Sequence, residues 1–361
     1  FDRRSMHHCE NFGVNTSVPP AQRPAVGGAD YIAAWVAKLK GENPDSVVVG
    51  AGDLIGASPL VSALFHDEPA IETLNRIGLE FNAVGNHEFD DGTAELMRMQ
   101  MGGCKVVDGQ VSPNSCRGGK VGTPAPFEGA WFKFLSANVF ETSTGETFFP
   151  AYGIKQFNKG PNKVKVAFIG MTLKATPTVV TPAGVAGLEF RDEANTVNAL
   201  IHRLRAQKVE AIVVLVHQGG FQTGSLSDIN GCEGNLAGSD IANIVGRLDD
   251  AVDLVISGHT HAAYNCKLPN ATGRLVPVTS ASAFGRVLSD IDLTIDPATR
   301  DVTHVEARNI LVDRTDPSVG PNAEVKAIVD GYKALVSPLA NAVIGSITTD
   351  LTNSNGYDAA C

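Results

Sequence analysis

Four short apolar runs in this chain each end in a compact polar signature, and that pattern constrains the fold more than any other feature. Val47-Val48-Val49-Gly50-Ala51-Gly52 leads into Asp53, and Phe81-Asn82-Ala83-Val84-Gly85 leads into Asn86-His87-Glu88-Phe89-Asp90. Val213-Val214-Leu215-Val216 leads into His217, and Leu254-Val255-Ile256-Ser257-Gly258 leads into His259-Thr260-His261. Short continuous apolar runs bounded by turn residues read as buried strands. In open α/β sheets, ligands bind outside the carboxyl ends of the strands. Four strands therefore deliver Asp, Asn and three His to one rim, and glycines 52, 85 and 258 permit the tight turns this needs.

Oxygen and nitrogen donors of this kind suit Zn, Mn, Fe or similar divalent ions. A carboxylate can bridge two ions ~3.5–4 Å apart, the geometry that activates water and clamps phosphate oxygens. Asp53 is the candidate bridge. Asn86, His217 and His259 would complete one ion's set, and His261 would join the other. His87 and Asp90 share a side if a helical turn begins there. A His oriented by a carboxylate is a common general acid or transition-state stabiliser, so His87 is assigned to the substrate oxygen and Asp90 to orienting it. Any one of these residues alone would read as a cap or a satisfied polar group; their joint, ordered occurrence after apolar runs does not. His66, His202 and His304 lack such a context and read as surface or structural. No HExxH, HxHxDH, P-loop or G-x-S-x-G pattern is present.

Strand-like segments are expected at 47–50, 81–84, 133–139, 164–169, 211–216 and 254–257. Helices are expected at 59–78, 93–101, 193–208, 240–248 and 323–336. Runs 275–279, 287–295 and 302–308 read as antiparallel strands without intervening helices. Strands alternating with helices indicate an α/β layered fold.

The chain has 361 residues, about two domains' worth or one large α/β domain. Its net charge of −10 and lack of a Lys/Arg cluster argue against a nucleic-acid partner. No apolar stretch approaches the ~20 residues of a membrane span. Of six cysteines, Cys104 with Cys116 and Cys232 with Cys266 lie in or beside loops and are expected to pair, which points to an oxidising compartment, periplasmic or secreted.

Gly52-Asp53, the GNHEFD of Gly85 to Asp90, the strand-end His217 and the GHTH of Gly258 to His261 resemble the calcineurin-like metallophosphoesterase superfamily. GNHEFD and the overall spacing are similar to its 5′-nucleotidase / UDP-sugar hydrolase family, as are Gly27-Gly28-Ala29-Asp30-Tyr31 and Gly170-Met171-Thr172-Leu173. The resemblance implies a four-layer α/β/β/α sandwich and two divalent metal ions. It also implies phosphate-ester hydrolysis of a nucleotide or other small ester, by a metal-bridging hydroxide with a His87–Asp90 dyad. The alternatives are a 2′,3′-cyclic-nucleotide phosphodiesterase, a UDP-sugar diphosphatase, a catalytically impaired metal-binding remnant or a secreted binding module. The family opens with a strand ending in Asp-x-His, which supplies two ligands to the first ion. No Asp-x-His occurs in the first thirty residues here, so the first metal site is expected to be incomplete. The expected organisation is an irregular segment 1–25, a metallophosphoesterase domain 26–342, and at 343–361 the truncated start of a C-terminal nucleotide-binding domain or a linker.

Overall fold

The computed structural model describes residues 25–157, 163–225 and 227–345. Outside them lie Cys9, Cys361, the position expected for Asp-x-His, and nearly all of the segments assigned to 1–25 and 343–361. Two sheets stack face to face. The first has three parallel strands in the order Val48–Gly50, Leu79–Ala83, Lys133–Leu135. The second has six, in the order Ala263–Pro269, Leu275–Ala281, Leu254–Ser257, Ala211–Val216, Val164–Met171, Tyr152–Phe157. Its four inner strands are parallel, and both edge strands run antiparallel.

Between the sheets Phe81, Ala83 and Leu135 meet Val166, Phe168, Val213 and Leu215 in one buried cluster. Phe81 and Phe168 stack across it with ring centroids 5.3 Å apart. Helices Glu68–Ile77 and Thr93–Met101 cover the outer face of the first sheet through Ile71, Leu96 and Met99. Helices Glu193–Ala206 and Asp240–Val245 cover the outer face of the second through Val197, Ile201, Leu204 and Ile241. The result is an α/β/β/α sandwich. The N-caps follow the sequence chemistry: Asp192, Ser239 and Asn322 each accept a backbone N–H of the first turn.

Several local expectations are corrected. The helix expected over 59–78 is two, Leu60–Ala63 and Glu68–Ile77. Asp67 breaks it, because its carboxylate is drawn back to accept from Gly56 N at 2.9 Å and Ser62 Oγ at 2.6 Å. The strand expected over 133–139 is split into Lys133–Leu135 and Val139–Glu141. At the break Ser136 and Ala137 donate to Pro150 and Gly170 instead of continuing the ladder. Leu275–Ala281 is antiparallel on one side only; on the other it pairs parallel with Leu254–Ser257. Both expected disulfides are present, Cys104–Cys116 and Cys232–Cys266. No helix of the described residues is long and apolar enough to cross a membrane.

Candidate metal centre

The four signatures arrive from two sheets rather than one. Asp53 and Asn86 follow strands of the first sheet, and His217 and His259 follow strands of the second. The site therefore spans the carboxyl edges of both, and the backbone at Ala51–Gly52 is where they meet. His217 donates from Nδ1 to the Ala51 carbonyl oxygen at 2.7 Å. That bond fixes the ring and turns Nε2 toward two oxygens, Asp53 Oδ2 at 2.9 Å and Asn86 Oδ1 at 3.1 Å. An imidazole held through one nitrogen by a carbonyl, with the other facing convergent oxygens, is the usual disposition of a metal-ligating His.

Ligand atoms of Asp53, His217 and His259 lie within 4.8 Å of one another, and the His217 and His259 rings are 5.1 Å apart, edge to face. Burial, joined by the charge of His217, pushes the His259 pKa down. Burial also pushes His261 down, against the pull of Asp53. Both rings are thus held toward the neutral form that ligates. Burial opposes ionisation of Asp53, but the hydrogen bond and charge of His217 and the backbone N–H of His87 outweigh it, so its pKa falls. This donor set fits one divalent ion. His261 stands outside that group, close enough to Asp53 to feel its charge.

His87 starts a short 3-10 helix, His87–Phe89, directly after Asn86. Its backbone N–H donates to Asp53 Oδ1 at 2.9 Å, and its Nδ1 meets Asp90 Oδ2 at 2.7 Å. Burial works against charge on His87. The Asp90 hydrogen bond and the charges of Asp53, Asp90 and Glu88 more than offset it, and the pKa is raised. The 3-10 turn places His87 and Asp90 on one side, as their spacing suggests.

Sequence reasoning missed Glu88, which lies inside the quoted GNHEFD. Its buried carboxylate accepts from Gly85 N at 2.7 Å, Asp53 N at 2.9 Å and Leu54 N at 2.8 Å. It ties the loop carrying Asp53 to the loop carrying Asn86 and His87. Burial and then the Asp53 charge push its pKa up. A Glu next to His in a polar signature reads as surface; only the fold reveals that it points inward. The glycines are also more constrained than turn formation requires. Gly52 has φ +92, but Gly85 matters for space: a Cβ there would stand 2.2 Å from Asp53 Oδ1. A Cβ on Gly52 would stand 2.5 Å from His217 Nδ1, and one on Gly258 would stand 2.9 Å from the Ala51 carbonyl oxygen. Three of the site's own residues hold left-handed backbone, Asp53 at φ 54, His259 at φ 69 and His261 at φ 58. For non-glycine residues such conformations cluster at functional sites.

His202 and His304 are exposed, away from these loops. His66 meets Ser112 Oγ at 2.9 Å and approaches Asp91 and Glu95. Lys105 and Arg98 already pair with those carboxylates, which makes a balanced ion-pair network.

The sequence matches the calcineurin-like phosphoesterase family over residues 6–263. The chain belongs to that family. Among its relatives, the endonuclease YhcR of Bacillus subtilis (strain 168) is 32% identical over 92% of this chain and 24% of its own length. The 5′-nucleotidase of Vibrio vulnificus (strain CMCP6) is 26% identical over 65% of this chain and 35% of its own. The chain thus spans about a quarter to a third of the length of these two relatives. The crystal structure of a 5′-nucleotidase precursor from Thermus thermophilus shares the fold, with a TM-score of 0.68 at 20% identity. That match covers 94% of this chain and 59% of the other.

Proposed function

We propose that this calcineurin-like phosphoesterase domain, assigned to 26–342, hydrolyses small phosphate esters as 5′-nucleotidases do. The observation that carries the reading is the convergence of Asp53 Oδ2 and Asn86 Oδ1 on His217 Nε2, with His87 bound through its N–H to the same Asp53 carboxylate. Asp53, Asn86, His217 and His259 would hold one divalent ion, Zn or Mn by donor type, and His261 with Asp53 would contribute to a second. A bound ion supplies Lewis acidity toward the phosphoryl oxygens and a more acidic water nucleophile. His87, oriented by Asp90, holds a proton on Nε2 for the phosphoryl or leaving-group oxygen. The two disulfides support an exported protein, periplasmic or secreted.

The test is metal stoichiometry by elemental analysis, with AMP, p-nitrophenyl phosphate and bis-p-nitrophenyl phosphate hydrolysis on the same Mn- or Zn-loaded sample. Bound metal with monoester turnover supports the reading. Preference for bis-p-nitrophenyl phosphate moves it toward the phosphodiesterase alternatives. A second reading, a metal-binding remnant with impaired catalysis, rests on the one group of Asp53, His217 and His259, whose ligand atoms converge as for a single ion. One metal per chain without turnover on any of the three esters would favour it.

A further inference from the structure

Beside the metal centre, residues 282–286 hold a phenylalanine in a conformation that bulky side chains avoid. Phe284 has φ 60, between Ser282 at φ 58 and Gly285 at φ 65. A single exposed apolar side chain is ordinary on a protein surface. A large aromatic in the left-handed region is an outlier, and such outliers persist only where the surroundings over-determine them. Here both ends of the loop are pinned. Ser282 donates from N to the Ala262 carbonyl oxygen at 3.2 Å and from Oγ to that of His261 at 3.3 Å. Gly285 abuts Ile32 so closely that a Cβ would stand 2.3 Å from it, and the Arg286 carbonyl oxygen accepts from Val312 N at 2.9 Å. The ring held in this way lies 5.5 Å from the His261 ring and keeps 45% exposure. The Arg286 guanidinium is 5.4 Å from its centroid.

We propose that Phe284 is a specificity-determining contact that selects phosphate esters with flat, aryl-type leaving groups over small aliphatic ones. The inference rests on the phosphoesterase reading above and deepens it. Strained backbone presents a half-exposed aromatic face next to a candidate metal ligand, where a phosphoryl group's substituent would lie. Offset or edge-on ring contacts add selectivity beyond buried area.

The experiment measures binding of phenylphosphonate and methylphosphonate, neither of which is hydrolysed, to Mn-loaded wild-type, Phe284→Ala and Phe284→Tyr proteins. Metal content is determined in parallel, and kcat/KM for p-nitrophenyl phosphate is compared with that for glycerol phosphate. Phe284→Ala is expected to weaken phenylphosphonate roughly 3- to 10-fold and to leave methylphosphonate and metal content unchanged. The same bias should appear in kcat/KM, and Phe284→Tyr should restore it. Equal weakening of both probes, or loss of metal, overturns the proposal by showing that the ring only braces His261. Unchanged binding of both overturns it as well. A wild-type protein that binds neither phosphonate and turns over neither ester removes the phosphoesterase reading itself, and this inference with it.

Discussion

The Glu88 carboxylate accepts the backbone N–H of Asp53 at 2.9 Å, joining two loops 35 residues apart in sequence. With its bonds to Gly85 and Leu54 it satisfies three backbone donors at once, one buried and two half-buried. Leaving buried donors unpaired costs about 1–3 kcal/mol each. Glu88→Ala is therefore expected to destabilise the fold by roughly 3 kcal/mol or more and to weaken metal binding. Denaturant unfolding and metal titration check both, and an unchanged midpoint would contradict the clamp.

Asp53→Asn removes the charge that faces His217 while keeping the shape. The bound metal should fall below the wild-type stoichiometry in elemental analysis after dialysis. Wild-type stoichiometry in this variant would refute the role assigned to Asp53.

His87→Asn should lower kcat by roughly 100- to 10,000-fold with metal content intact, since His87 is assigned to the substrate and not to the metal. The raised His87 pKa sets a sign. The protonated ring is present below that pKa, so activity should decline on the alkaline side. Asp90→Asn removes the hydrogen bond that raises it, so the alkaline limb should move to lower pH. A limb that stays in place would separate Asp90 from His87 titration.

Away from the candidate metal centre, Glu72 is buried on helix Glu68–Ile77, which packs against the helix Ala323–Ala340. One carboxyl oxygen accepts from Thr123 Oγ1 at 2.9 Å, and the other finds no hydrogen-bond donor within normal reach among the described residues. Burial pushes its pKa up to about 7, against the Thr123 hydrogen bond, the approach of the Tyr332 hydroxyl and the charge of Arg76. The folded state thus holds this proton more tightly than the unfolded chain. The stabilisation is complete at pH values below the ordinary Glu range, declines as pH rises toward about 7, and is absent above it. Glu72→Gln should flatten that slope and raise the unfolding midpoint at pH 8 above wild type. An unaltered slope would show that Glu72 does not titrate in this range.

Reduction should matter too. The Cys104–Cys116 bridge spans a sequence separation of 12, for which loop closure contributes about 3 kcal/mol. Replacing both with Ser should lower the unfolding midpoint measurably, whereas unchanged stability would mean the loop is held by other bonds.

The juxtaposition of Asp53, Asn86, His217 and His259 could be read from the chain because each follows an apolar run directly. Strands 211–216 and 254–257 and the helix 93–101 match their expected limits, since period and flanking residues agree there. The parts that could not be read depend on partners that no local periodicity specifies. The helix break at Asp67 needs Gly56 and Ser62 to recruit its carboxylate. Tyr152–Phe157 and Ala263–Pro269 are edge strands whose mixed composition gives weak periodicity, and they form because an inner strand offers an open ladder. The inward aim of Glu88 has no signature in the residues around it.

The contacts of Gly52, Gly85 and Gly258 carry a consequence for engineering. Each lies against a residue delivered by another loop, with no room for a methyl group. The loops are therefore interlocked parts rather than modules. A graft that moved the Asp53 loop alone into another scaffold would lose the surfaces against which it is shaped. Transplanting this centre would require all four strand ends together, with the spacing between the two sheets preserved.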